Sequence, residues 1–209
     1  MIQAIPATEI TLRTLRQSLN LQTAPIDFFS EWQTDLPALS VVEQASLDRV
    51  RTNFLDLLED PPVLENSVKL VILAPLLDLA GLYRRPFRIT TETSIDIDLE
   101  DEGTQIRGRI DILVISDFLW LVVIESKRSD FAVTRALPQT LAYLLANPQP
   151  DRPAYGLITN GSEFLFLKAQ RSPTAQYATS RLFSLLNPSN DLATVLAILK
   201  HLTHDRDPR

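Results

Sequence analysis

The period of the apolar positions changes along the chain. Before residue 86 it is helical. Residues 7–21 carry helical spacing, and Ser40 followed by Glu43 has the form of a capping box opening a helix that runs to about Glu59. Val42, Leu47, Val50, Phe54 and Leu57 or Leu58 give that helix one packing face. Pro61 and Pro62 stop it, and a further helix is predicted from Val63 to Ala80, with Gly81 after its last turn and a kink or break at Pro75. From residue 87 the period falls to two, predicting strands over 87–99, 104–115 and 118–126. A helix is predicted over 133–146 with Pro138 in its first turn. It is followed by a strand at 154–159, a tight turn at Asn160 and Gly161, a partner strand at 163–168, and one more strand at 181–186. A helix over 189–203, capped by Ser189 or Asn190, is the last predicted element. This order predicts one α/β domain over 61–209, with residues 1–60 as a helical N-terminal extension packed on the core.

The stretch 108–128, GRIDILVISDFLWLVVIESKR, departs from a purely structural pattern. It reads as a hairpin with Ser116 and Asp117 in the turn, yet Asp111 interrupts the first apolar run and Glu125, Ser126 and Lys127 end the second. If 117 lies opposite 118, then 111 lies near 124–125 across the ladder. Glu125 and Lys127, two apart, point to the same side of the sheet. Two carboxylates and an ammonium converging on an apolar sheet are costly to bury, and a divalent metal would account for them. A sheet ion-pair network is the bland alternative, weakened because partly buried ion pairs add little net stability. Upstream, Glu65 is in line with Val68 and Ile72, which directs it inward; a first-turn acid favoured by the helix dipole would look the same.

Composition narrows the setting. With 209 residues the chain is long enough for one well-buried domain. It has no cysteine, which excludes disulfides and thiolate metal sites and suits a cytoplasmic protein. No secretory signal or membrane-spanning run is legible, so a soluble protein is expected. The net charge of −6 argues against a simple basic nucleic-acid binder. Of the 26 acidic residues, however, six lie within 92–102, leaving 20 against 20 Lys and Arg. That run reads as a solvated hairpin edge.

With Gln139 and Tyr143 added, the pattern resembles the PD-(D/E)XK nuclease superfamily. The carriers are Asp111 in GRID, Glu125-Ser126-Lys127 on the next strand, and an acid on an upstream helix. Gln139 and Tyr143 reproduce a Q-x-x-x-Y pattern, and YGLITNGSEFLF at 155–166 is similar to the strand–NG–strand unit, of the N-terminal nuclease domain of type I restriction enzyme R subunits. The resemblance covers roughly residues 60–170. Ile110 stands where the superfamily's proline would be, and no P-loop or helicase motor is present.

The resemblance implies a restriction-endonuclease-like mixed β-sheet flanked by helices and a Mg²⁺-dependent DNA endonuclease, with Mn²⁺ able to substitute. Asp111, Glu125 and the Ser126 carbonyl would be metal ligands, with Glu65 binding through water or supporting a second ion. Lys127 would orient the attacking water or stabilise charge on the phosphate. Gln139, Tyr143, Arg109 and Arg128 would contact nucleic acid, although a buried polar pair closing the helix–sheet contact accounts for the first two nearly as well. The expected partners are DNA and either a second copy of the chain or a separate DNA-binding protein, with no membrane. The competing expectation is a non-catalytic nucleic-acid-binding or protein-interaction module that retains the fold.

Overall fold

Ser40 and Glu43 close the reciprocal cap that their spacing predicts. In the computed structural model, Glu43 Oε2 accepts the Ser40 N–H at 2.7 Å, and Ser40 Oγ accepts the Glu43 N–H at 3.3 Å. The structure describes residues 3–61, 63–98, 104–117, 120–125 and 132–204, with the side chains at 3, 4, 98, 104, 122–125 and 204 excepted. The cap opens helix α2 (Val41–Leu58), which buries Leu47, Val50 and Phe54. Glu43 Oε1 also receives Lys200 from helix α6 (Leu192–His204), joining a helix start to a distant helix. The Lys200 bond and then the Ser40 bonds hold the Glu43 carboxyl at about 2, below its ordinary 4.5.

A carboxylate whose pKa falls on folding stabilises the fold above its unfolded value and loses that contribution as pH drops through the folded one. Glu43→Ala is expected to cost about 1–2 kcal/mol at neutral pH. In urea titrations the gap from wild type should hold down to about pH 4.5 and close toward pH 2. A gap that widened in acid would contradict this assignment.

The helix expected over 63–80 is present in three parts: α3 (Glu65–Val68), a π-helical turn (Lys69–Leu73) and α4 (Ala74–Leu79). Pro75 supplies the cause. It has no N–H for the carbonyl four residues back, and its ring crowds that carbonyl. The helix widens just before it, so that the Ala74 N–H reaches the Lys69 carbonyl five residues back. Gly81 follows at φ 77°, as a C′ residue requires.

Among the described residues eight strands form one mixed sheet: β1 (Gln3–Pro6), β2 (Gln22–Thr23), β3 (Arg88–Asp98), β4 (Thr104–Ile115), β5 (Trp120–Glu125), β6 (Ala154–Thr159), β7 (Glu163–Gln170) and β8 (Gln176–Ser184). Their order is β1-β4-β5-β6-β7-β8-β2, with β3 on the other edge of β4. The β4–β5 hairpin has the expected register, Ile112 opposite Val123 and Ile115 opposite Trp120. β5 runs parallel to β6, which requires a crossover, and α5 (Leu137–Leu145) lies within it with Pro138 in its first turn.

One face of the sheet packs on α2, α3, α4 and α6 through residues such as Ile112, Val114, Leu157 and Phe166; the other packs on α1 (Leu12–Leu19) and α5 through Leu113, Ile158 and Leu167.

Two expectations change. The first 60 residues do supply helices that pack on the core, but they also supply β1, parallel to β4, and β2, parallel to β8. Thr11 interrupts the helix expected over 7–21 because its side chain accepts the Thr14 N–H and starts α1 afresh. The strand expected over 181–186 is β8, five residues longer at its start. Its pairing with β7 shifts register between Leu165 and Leu167, so its buried residues are Tyr177, Ser180 and Phe183, three apart rather than two. Ser180 Oγ accepts the Phe166 N–H at this irregularity. Among the described residues, no helix is long and apolar enough to cross a membrane.

Candidate metal and nucleic-acid site

The candidate site is where the sheet forks. Along one edge of β4, β1 pairs with residues 104–107 and β5 with residues 112–115. Residues 108–111 fall between the two ladders, although β5 continues beside β6 to Glu125, opposite Thr159. Backbone groups left in such a gap need partners. Tyr143 of α5 provides them for Arg109: its hydroxyl accepts the Arg109 N–H at 2.9 Å and donates to the Arg109 carbonyl at 3.3 Å. Gln139 Nε2 donates to the Tyr143 hydroxyl oxygen at 3.1 Å. Tyr143 is fully buried, and Gly108 makes room for its ring, since a Cβ there would stand 2.1 Å from the hydroxyl oxygen. Burial raises the Tyr143 pKa, and the charge of Asp111 adds to that rise, while the Gln139 and Arg109 bonds oppose it.

The gap also reverses the strand's facing. Ile106 and Ile110 pack on the α5 face, whereas Ile112 and Val114 pack on the opposite face. The alternation therefore breaks between Ile110 and Ile112. Across the ladder Glu92 of β3, at φ 56°, occupies the left-handed region at the same level. Asp111, between the two isoleucines, reaches the helical layer that carries α3.

There the structure brings Asp111 and Glu65 to one ammonium. Lys69 Nζ lies 2.8 Å from Glu65 Oε1 and 3.9 Å from Asp111 Oδ1. The three side chains are 24% (Lys69), 31% (Glu65) and 24% (Asp111) exposed, so they line a partly sheltered surface. Lys69 was not among the residues singled out in the sequence. Its signal is present: it stands four residues after Glu65 and is the lone cation in the segment from Val63 to Ala80.

The remaining expected residues divide. The backbone of Glu125 ends β5 beside the fork. Ser126, Lys127 and Arg128 lie outside the described residues. Arg109 pairs with Glu92, and Arg107 with Asp96 at 3.4 Å, so part of the acidic run is matched by arginines across the β3–β4 ladder. Tyr143 directs its hydroxyl at the β4 backbone rather than outward, the helix–sheet closure that the sequence allowed as an alternative. Among the described residues no group of three or more His, Asp or Glu is poised to hold a metal ion. Glu65 and Asp111 are carboxylates gathered from two elements around the Lys69 ammonium, an ion-pair cluster that faces the fork.

No family model matches the chain, and no curated protein matches it. Among solved structures it is similar to one described as "Crystal structure of SSO0001", at 15% identity over 86% of this chain and 84% of that one, with a TM-score of 0.27, a likeness that carries no argument.

Proposed function

We propose that this protein is a metal-dependent nuclease that hydrolyses DNA phosphodiester bonds, with a restriction-endonuclease-like arrangement of its sheet. The observation that carries the reading is the convergence of Glu65 and Asp111 at the fork beside the end of β5, where Glu125 stands. Asp111, Glu125 and the Ser126 carbonyl would hold a Mg²⁺ ion. When bound, that ion supplies positive charge at the phosphate and acidifies the attacking water. The chain's own groups do the rest. The Tyr143 hydroxyl, itself held by Gln139, anchors the β4 backbone two residues before Asp111. Lys127 orients the nucleophile or meets the charge developing on phosphate oxygens. Because the chain carries a net charge of −6, its hold on DNA would rely on local basic groups, a second copy or a separate DNA-binding protein.

The test is calorimetric titration with Mg²⁺ and Mn²⁺ of wild type and Asp111→Ala, followed by a plasmid-nicking assay. Binding and metal-dependent nicking are expected in wild type, and both should vanish in the variant. Binding without nicking of naked plasmid would keep the site and call for a DNA-binding partner. No binding by wild type would assign the chain to the non-catalytic class, with Glu65, Lys69 and Asp111 serving as an ion-pair network.

A further inference from the structure

We propose that the groove between α2 and the π-helical turn leading into α4 is a self-association surface, in which a second copy of this chain seats its own Leu70. The proposal stands apart from the metal-dependent reading above and adds a partner to the protein.

Two walls make the groove. Arg49 and Val50 lie on α2, and Leu70, Val71, Pro75 and Asp78 lie opposite, around a volume of about 320 Å³. Val50 is buried and Val71 and Pro75 are half-buried, so the floor is apolar. Leu70 is 72% exposed. Helical spacing from the buried Val68, Ile72 and Leu76 puts position 70 on the outer side, where a polar residue would be ordinary. A lone exposed leucine needs no explanation, but one standing at the edge of an apolar groove makes a contiguous patch. On α2 the patch runs on toward the helix start, because Val42, seven residues before Arg49, shares its face and is 75% exposed.

The charges on the walls select the occupant. Arg49 and Asp78 stand on opposite sides, both exposed, and neither forms an ion pair among the described residues. A groove with one cation and one anion has no net charge with which to draw nucleic acid or a uniformly charged peptide. It fits a partner carrying the same two charges in reverse order. A copy turned about a two-fold axis does so by construction: Arg49 of each chain meets Asp78 of the other, and each Leu70 enters the other's groove. The apolar contact supplies affinity, and the two ion pairs fix the orientation.

Sedimentation velocity of the full chain should show the 23.5 kDa monomer giving way to a species of twice that mass as concentration rises. Leu70→Glu should raise the dissociation constant at least about thirtyfold, the scale of losing a central apolar anchor. Arg49→Glu and Asp78→Arg should each weaken self-association, because each places two like-charge pairs in its own dimer. An equimolar mixture of those two variants is the decisive sample. Both pairs are attractive there, so mixed dimers should form at concentrations where each variant alone is monomeric. A charge that only supported the fold of its own chain would not be rescued by mixing. All three positions are exposed, and urea midpoints matching wild type would verify that the variants fold. A wild type that stays monomeric up to about 1 mM would overturn the proposal and leave the groove to a different protein. So would a dimer that survives Leu70→Glu and shows no rescue in the mixture, which would place the interface elsewhere.

Discussion

Lys127→Ala is expected to slow metal-dependent plasmid nicking by about 10²–10³-fold while leaving Mn²⁺ affinity within about threefold of wild type, the usual scale for removing one donor to transition-state charge. On the proposed reading the two parts of the site do different work. Asp111 is a ligand, so its loss should remove metal binding and cleavage together. Lys127 is not a ligand. Its ammonium serves the water or the phosphate oxygens as negative charge builds up, an interaction that matters more in the transition state than in the resting complex. The pair of variants therefore separates binding from chemistry by calorimetry and nicking on the same preparations. Nicking at the wild-type rate by both variants would place the activity in a contaminant or at another site. Loss of metal binding in Lys127→Ala would instead give that residue a role in building the site.

The hairpin was legible in the sequence because its rules are local. The apolar runs on either side of Ser116 and Asp117 fix both the turn and the register, and Ile112 falls opposite Val123 as the turn predicts. The capping box at Ser40 was legible for the same reason, since both partners lie within one turn. The short strands β1 and β2 were not. They have four and two residues, too few to show a period, and they join the sheet through parallel partners about a hundred residues or more away. β8 was only half legible, because the register shift spaces its buried residues three apart and places Ser180 where an apolar residue would be expected.

The candidate site shows the same boundary. Asp111 and Glu65 could be named from residue type and spacing, and the structure brings them to one ammonium. Strict alternation from Leu113 and Ile115 would have put Asp111 on the α5 face. The fork between the β1 and β5 ladders reverses that, and a fork depends on where two distant strands end. Lys69 was passed over because four-residue Glu–Lys spacing on a helix is commonplace on exposed surfaces; only the packing of α3 beside β4 gives it a second carboxylate.

Gly108→Ala is expected to destabilise the protein by about 3 kcal/mol, the upper end of the cost of overpacking. Gly108 has no unusual backbone angle to protect; space is the whole of the argument. The new Cβ would stand 2.1 Å from the Tyr143 hydroxyl and 2.6 Å from both Tyr143 Cε1 and Ala7 Cβ. None of these atoms is the loose end of a flexible chain. The hydroxyl is held by the Arg109 backbone and Gln139, and Ala7 follows β1 directly and is buried. Relief requires Tyr143 to withdraw, which would strip the Arg109 N–H and carbonyl of their partner in the gap between ladders. Gly81→Ala is the matching control: φ is 77° but nothing lies within 4 Å of the added Cβ, so backbone strain of about 1 kcal/mol is the expected cost. Urea midpoints would report both. Because residue 108 lies three positions before Asp111 on the same strand, Gly108→Ala should also weaken Mn²⁺ binding under conditions where it remains folded, and Gly81→Ala should not. A Gly108→Ala protein within about 0.5 kcal/mol of wild type would show that the fork is looser than its contacts imply.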